Sequence, residues 1–157
     1  MREVELNTRQ TANLWIDFSE KIGIDKIRSI YGKYWIRKKL KEERVWKVYD
    51  KDEWVGWYSL RPDPLDSNVW FIVGIFPGFQ KKSYVSRIFK GAITKTFSVW
   101  PECNAMFFEI AKNSKFHQWE LENIKKSNSV TEYAGEKLFP EPGSTIFMVK
   151  KRSSPRR

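Results

Sequence analysis

The sequence predicts a mixed α/β domain built on one central sheet. Three observations carry that expectation. Apolar residues in the first third recur at helical spacing. From Val45 the pattern changes to alternation with period two. Between Val69 and Ala111 a buried-type strand, a long amphipathic stretch and a second apolar strand follow one another. A strand–helix–strand passage of this kind implies a locally parallel pair with a right-handed crossover.

Taken in order, Thr8 to Lys21 places Leu14, Trp15, Phe18 and Ile22 on one helical side, and Gly23 follows as a stop. Asp25 is placed to cap a second helix, with Ile27, Ile30, Tyr31 and Tyr34 on one side and Arg37, Lys38 and Lys39 beyond. Val45–Tyr49 and Trp54–Leu60 read as a hairpin around the turn residues Asp50 to Glu53. The stretch Arg61–Ser67, with Pro62 and Pro64, reads as a loop. Val69–Phe76 is a continuous apolar run, expected as a strand buried on both faces and ended by Pro77-Gly78. A helix is predicted over Ser83–Val99, stopped by Pro101, and a strand over Ala105–Ala111. Ser114–Lys126 is again helical in pattern, with His117, Leu121 and Ile124 in register, and Thr145–Val149 is the last strand. Residues 1–150 are expected to form one domain and 151–157 a basic, frayed tail.

Composition excludes several functions. The 157 residues are enough for one domain with a real core, and eight Trp and eleven Phe argue for a packed interior. Cys103 is the one cysteine and His117 the one histidine. No disulfide framework, Cys cluster or His-rich zinc site can be built from that set. Met1–Leu6 is charged and short, unlike a secretory leader, and no run approaches the ~20 apolar residues of a membrane-spanning helix. The expected location is cytoplasmic, with no membrane partner.

The net charge of +10 is unevenly placed. Residues 26–47 carry nine basic residues against two acids, and residues 81–95 carry five with no acid. Five more lie in 150–157, whereas 50–66 holds five acids against two bases. Clustered positive charge favours polyanions or phosphate-bearing cofactors, although it is equally compatible with a soluble protein that is merely basic. The run from Ile30 to Lys39 interleaves aromatics with bases, which suits nucleic acid or an acidic macromolecule; an amphipathic helix with a solvated basic face explains it as well.

The chemistry-bearing stretch is Ile75-Phe76-Pro77-Gly78-Phe79-Gln80-Lys81-Lys82-Ser83-Tyr84-Val85-Ser86-Arg87. It leads from a buried strand through a short loop into a helix. Backbone N–H groups and the positive helix end form an anion site there, suited to a pyrophosphate. Lys81, Lys82 and Arg87 add charge, and Ser83 and Ser86 add hydroxyls.

This segment resembles the acyl-CoA loop of the GNAT acetyltransferase superfamily, Gln/Arg-x-x-Gly-x-Gly/Ala after a strand that often ends in Pro. Pro77 and Gln80-Lys81-Lys82-Ser83-Tyr84-Val85 match in spacing, but Ser83 and Val85 stand where glycine and glycine or alanine are usual. Glycine lets a backbone approach phosphates closely. The order of elements resembles the family over residues 5–150, and Phe107–Ser114 resembles its strand and Asn-containing turn. The resemblance implies a mostly antiparallel sheet with one parallel crossover and helices on both faces. It also implies acetyl-CoA as co-substrate, held by Gln80, Lys81, Lys82, Ser83, Tyr84, Val85, Ser86 and Asn113, with backbone groups of Val73, Ile75 and Phe76 serving the acyl carbonyl and pantetheine. The implied activity is acyl transfer to an amine.

Transfer from a thioester requires positioning, an oxyanion donor and a route for the amine proton. Glu109, in an otherwise apolar strand four residues before Asn113, is the first candidate base, and a core-edge carboxylate paired with a cation is its alternative. Asp66 is the second candidate, or else a solvated loop acid. The family's acid is commonly a Tyr seven residues beyond the Asn; here that position is Glu120, and the nearest later Tyr is Tyr133. His117 reads as a packed or surface residue more readily than a catalytic one. Two rival readings stay open: a catalytically silent domain of this type that binds nucleic acid, and a structural protein whose aromatics form an interface.

Overall fold

The computed structural model describes residues 1–22, 43–63, 67–126, 130–133 and 143–151. The expected second helix over 25–39, the candidate Asp66 and the tail beyond 151 lie outside the described residues. Among the described residues, seven strands and three α-helices are seen in the order β1 (Arg2–Glu5), α1 (Thr8–Ile22), β2 (Arg44–Asp50), β3 (Glu53–Asp63), β4 (Asn68–Ile75), α2 (Lys82–Val99), β5 (Ala105–Ala111), α3 (Lys115–Lys126), β6 (Val130–Tyr133) and β7 (Ser144–Lys150). The strands hydrogen-bond in the order β1-β2-β3-β4-β5-β7-β6. As expected, the sheet is mixed: β4 and β5 are parallel, whereas β1–β2, β2–β3, β5–β7 and β6–β7 are antiparallel. No helix among the described residues is long and apolar enough to cross a membrane.

Two strands were not expected from sequence. In β1, Arg-Glu-Val-Glu offers one apolar residue, and charge of this kind is typical of an edge strand. β6 is only four residues long and exposes three of them. The chain divides into two compact units, Met1–Arg61 with Ile72–Ile88, and Pro62–Phe71 with Phe89–Arg157.

In the first unit, α1 begins with a reciprocal cap. The Gln10 N–H donates to Asn7 Oδ1 at 2.8 Å, and the Asn7 N–H donates to Gln10 Oε1 at 2.9 Å. Leu14 and Phe18 are buried. The Phe18 ring meets Trp57 edge-on at 5.6 Å and Phe76 at 5.5 Å. The β2–β3 ladder pairs Val48 with Gly56 but Tyr49 with Trp54, so Val55 is an extra residue on β3. This bulge re-aims Trp54, whose ring meets Phe76 at 4.7 Å. It also offers the Val55 carbonyl to the Phe76 N–H at 3.0 Å. β3 and β4 approach closely here: a Cβ on Gly56 would stand 2.3 Å from the Gly74 carbonyl oxygen, and one on Gly74 would stand 2.5 Å from Trp57 Nε1. Glu43 and Arg61 form an ion pair at 3.0 Å with both side chains buried.

The second unit is ordered around the β5–β7 ladder, which runs from Ala105↔Lys150 to Ala111↔Ser144. One sheet face carries α2 and α3. The Thr96 hydroxyl donates to Met106 Sδ at 3.4 Å, Phe89 meets Phe108 at 4.8 Å, and His117 lies against Phe147 at 6.0 Å. The opposite face gathers Ala105, Phe107 and Ile146 with the partly buried Trp70 and Met148.

Candidate active site

The stretch from Phe76 into α2 is held by its own backbone hydrogen bonds. Pro77–Phe79 forms one 3₁₀ turn, and Gln80 follows with φ −78° and ψ 59°. With the Lys81 N–H donating to the Phe79 carbonyl at 2.8 Å, that is an inverse γ-turn. The Phe79 N–H donates to the Phe76 carbonyl at 2.8 Å and the Gln80 N–H to that of Pro77 at 3.4 Å. The N–H groups of residues 79–81 are therefore bonded within the loop, contrary to the expectation that the loop itself points several donors outward. The candidate donors lie one turn on. In an α-helix the first-turn N–H groups have no intrahelical acceptor, and in α2 Ser83 and Tyr84 stand in that turn. The Val85 N–H already donates to the Lys81 carbonyl at 3.1 Å, so it opens the ordinary helical ladder.

Side chains around this turn divide by role. Lys81, Lys82 and Ser83 are exposed, whereas Val85 and Ser86 are half-buried. Ser83, in the position where the resemblance has glycine, is thus an exposed residue of the first helical turn. Gln80 acts on the protein, not outward: its side-chain amide donates to the Ile75 carbonyl at 3.0 Å and holds the end of β4. The Tyr84 hydroxyl donates to Asp50 Oδ2 at 2.5 Å, tying the helix start to the β2–β3 turn. That bond, more than burial, raises the Tyr84 pKa. The Phe79 ring packs edge-on against Tyr84 at 5.7 Å.

On β4, the Phe76 N–H is bonded to Val55 and is not available to an acyl carbonyl. Backbone groups alternate in direction along a strand, so the Ile75 N–H faces away from the Phe76 N–H, while the Ile75 carbonyl accepts from Gln80. Val73 is half-buried and Ile75 buried.

In the second unit, Glu109 is half-buried on the face shared with Phe107 and Ile146, directly opposite Ile146 in the ladder. The fully buried Ser144 donates its hydroxyl to Glu109 Oε2 at 2.8 Å. Ser144 had no sequence signal of its own, because its role depends on the cross-strand diagonal to Glu109. Asn113 is exposed in the turn after β5. Ser114 caps α3 there, its Oγ accepting from the Phe116 N–H at 3.2 Å. Gly143, with φ +98°, accepts from the Lys112 N–H at 3.0 Å and brings the start of β7 to this turn. His117 Nε2 lies 2.7 Å from Thr145 Oγ1, which makes it a packed residue. Glu120 is buried on α3, and Tyr133 is exposed on β6. Among the described residues no group of three or more His, Cys, Asp or Glu could hold a metal ion.

No protein-family model and no curated protein sequence matches the chain. Solved structures do. A chimeric spermidine N-acetyltransferase SpeG from Vibrio cholerae aligns over 95% of this chain and 94% of its own, at 15% identity and a TM-score of 0.62. SpeG from the same organism in complex with manganese ions aligns over 95% and 91%, at 17% identity and a TM-score of 0.58. A Bacillus subtilis acetyltransferase in complex with CoA aligns over 96% and 97%, at 15% identity and a TM-score of 0.57. The chain has the GNAT fold. Both the central parallel pair β4–β5 and the strand–loop–helix passage from β4 into α2 are parts of that GNAT architecture, as the sequence resemblance implied.

Proposed function

We propose that this GNAT-fold chain is an acyl-CoA-dependent N-acyltransferase, with acetyl-CoA as co-substrate and an amine as acceptor. The observation that carries the reading is the start of α2, where Lys81, Lys82 and Ser83 are exposed, in a fold shared with a CoA-bound acetyltransferase. A helix start of this kind favours a pyrophosphate. The residues present fit that group in charge and exposure, since Lys81, Lys82 and Ser83 are exposed and Tyr84 is fixed by Asp50.

Acetyl-CoA would supply the activated thioester. Lys81, Lys82, Ser83 and Tyr84 bind its phosphates through charge, hydroxyl and backbone. Ser86 stands in the second turn, and Gln80 keeps the end of β4 in place. The Ile75 N–H on β4 serves the pantetheine arm, the Ile75 carbonyl being held by Gln80. Glu109 takes the amine proton, oriented by Ser144. Asn113 belongs to the turn beside the base, and Asp66 is retained as the alternative base. Residues 1–150 act as one catalytic domain. The acceptor named for the SpeG structures, spermidine, supports an amine acceptor here.

The experiment is CoA release from acetyl-CoA across a panel of amines. Amine-dependent turnover is expected, and Glu109→Gln should reduce kcat/KM by about 10²–10⁴-fold, the usual contribution of a general base. No turnover with any amine, or full activity in the variant, would remove the reading or the base respectively.

A further inference from the structure

The resemblance to the GNAT loop places small residues at 83 and 85, whereas here Ser83 and Val85 flank Tyr84. No glycine stands in the first turn of α2, and the β2–β3 hairpin holds that turn instead. β2 and β3 end on the pair Asp50↔Glu53, which closes the turn Lys51-Asp52. Three groups at this end of the hairpin reach the passage from β4 into α2. The Val55 carbonyl accepts from the Phe76 N–H at 3.0 Å. The Trp54 ring meets the Phe76 ring at 4.7 Å. The Asp50 carboxylate accepts from the Tyr84 hydroxyl at 2.5 Å. The first two contacts hold the end of the strand, and of the three only the last reaches the helix.

Tyr84 stands in the first turn of α2, and its ring also packs edge-on against Phe79 in the 3₁₀ turn at 5.7 Å. One phenol therefore links the hairpin, the 3₁₀ turn and the helix start. Both Tyr84 and Asp50 are half-buried. A helix start receives an anion best when it is already ordered, because ordering it on binding costs affinity. Asp50 is itself negative, so its charge opposes an arriving phosphate. Its favourable contribution is order, not attraction, and those two effects have opposite signs when the residue is removed.

We infer that Asp50 is a positioning residue for the acyl donor: acting through the Tyr84 hydroxyl, it holds the first turn of α2 in the geometry that receives the donor's phosphates. This rests on the acyltransferase reading, which puts those phosphates at α2, and it adds a residue on the β2–β3 hairpin to the donor site.

The test is calorimetric titration of acetyl-CoA into the full chain and its variants, beside thermal melts of each. Asp50→Ala and Tyr84→Phe should each raise Kd about tenfold, on the order of one hydrogen bond to a charged group. The double variant should be no weaker than either single one, because both remove the same bond. Asp50→Asn keeps an acceptor oxygen and should stay within about threefold of the parent, the neutral bond being the weaker one. Glu53→Gln removes a charge that also acts on the Tyr84 phenol but leaves the bond in place, and it should not weaken binding. With an amine that turns over, Asp50→Ala should raise KM for acetyl-CoA and leave kcat unchanged, as befits a group outside the chemical step. Tighter binding in Asp50→Ala would show a charge acting on the phosphates and would overturn the proposal. So would additive losses in the double variant, or a lowered melting temperature with Kd unchanged, the mark of a tie that serves stability alone. If the parent binds acetyl-CoA and the variants bind it equally, only the role of Asp50 falls; if the parent does not bind it, the acyltransferase reading falls as well.

Discussion

Glu43 and Arg61 form an ion pair at 3.0 Å, and both side chains are buried. Removing one member of such a pair leaves the other charged in a poorly solvated place. Glu43→Ala should therefore destabilise the protein by about 3–5 kcal/mol in denaturant unfolding. Replacing both residues by Met should recover most of that loss, because two apolar side chains leave no charge behind. Tyr58 is a second case at this scale. It is fully buried, its hydroxyl donates to Glu3 Oε2 at 2.9 Å, and its ring stacks on Trp46 at 5.1 Å. Burial first, and the charge of Glu5 second, push its pKa well above the ordinary tyrosine value. The sign follows from linkage. Below about 10, the ordinary tyrosine pKa, folded and unfolded states both keep the phenol proton and stability is complete. Above it the unfolded chain ionises while the folded chain resists, so stability falls as pH rises. Tyr84, raised through Asp50, acts in the same direction. Thermal melts between pH 8 and 11 should show a steep alkaline decline, shallower in Tyr58→Phe. Equal slopes would mean that Tyr58 is not a source of it.

Elements were legible where local chemistry decides them. Apolar spacing placed α1 from Thr8, and the reciprocal cap of Asn7 and Gln10 that starts it was not part of that spacing. The change from helical to alternating period at Val45 located β2 within one residue at each end, whereas β3 runs three residues past the expected Leu60, into the stretch expected as a loop. The bulge at Val55 was not legible. It is defined by its partners on β2 and by the approach of β4, and neither is a property of the hairpin sequence. Gly56 shows the consequence. In sequence it is one glycine in an apolar run; in the sheet it is where the Gly74 carbonyl needs room. Gly56→Ala puts a methyl group against backbone and should cost about 1–3 kcal/mol, the usual range for overpacking. Gly78, with nothing within 4 Å of an added Cβ, is the control, and its alanine variant should melt with the parent protein. The candidate site divides in the same way. Pro77, Gln80 and the helix after them were readable as a string, but Gln80 holding the Ile75 carbonyl and Ser144 holding Glu109 depend on neighbours brought near by folding.

For the whole molecule, the mixed sheet and its parallel β4–β5 pair followed from the order of patterns along the chain. Edge strands β1 and β6 did not, because four-residue strands with exposed polar faces carry almost no periodic signal. The chain shares 13% to 17% identity with solved acetyltransferases while aligning with them almost end to end. Fold is retained at that distance; activity has to be measured. The decisive measurement is binding of acetyl-CoA, read as a thermal shift with ATP as the phosphate control. A ligand at 100 times its Kd adds about 2.7 kcal/mol of stability. Acetyl-CoA should raise the melting temperature well beyond ATP, and the double variant Lys81→Glu/Lys82→Glu should abolish the difference. No shift at millimolar acetyl-CoA, in a protein that melts cooperatively, would contradict a CoA site at the start of α2.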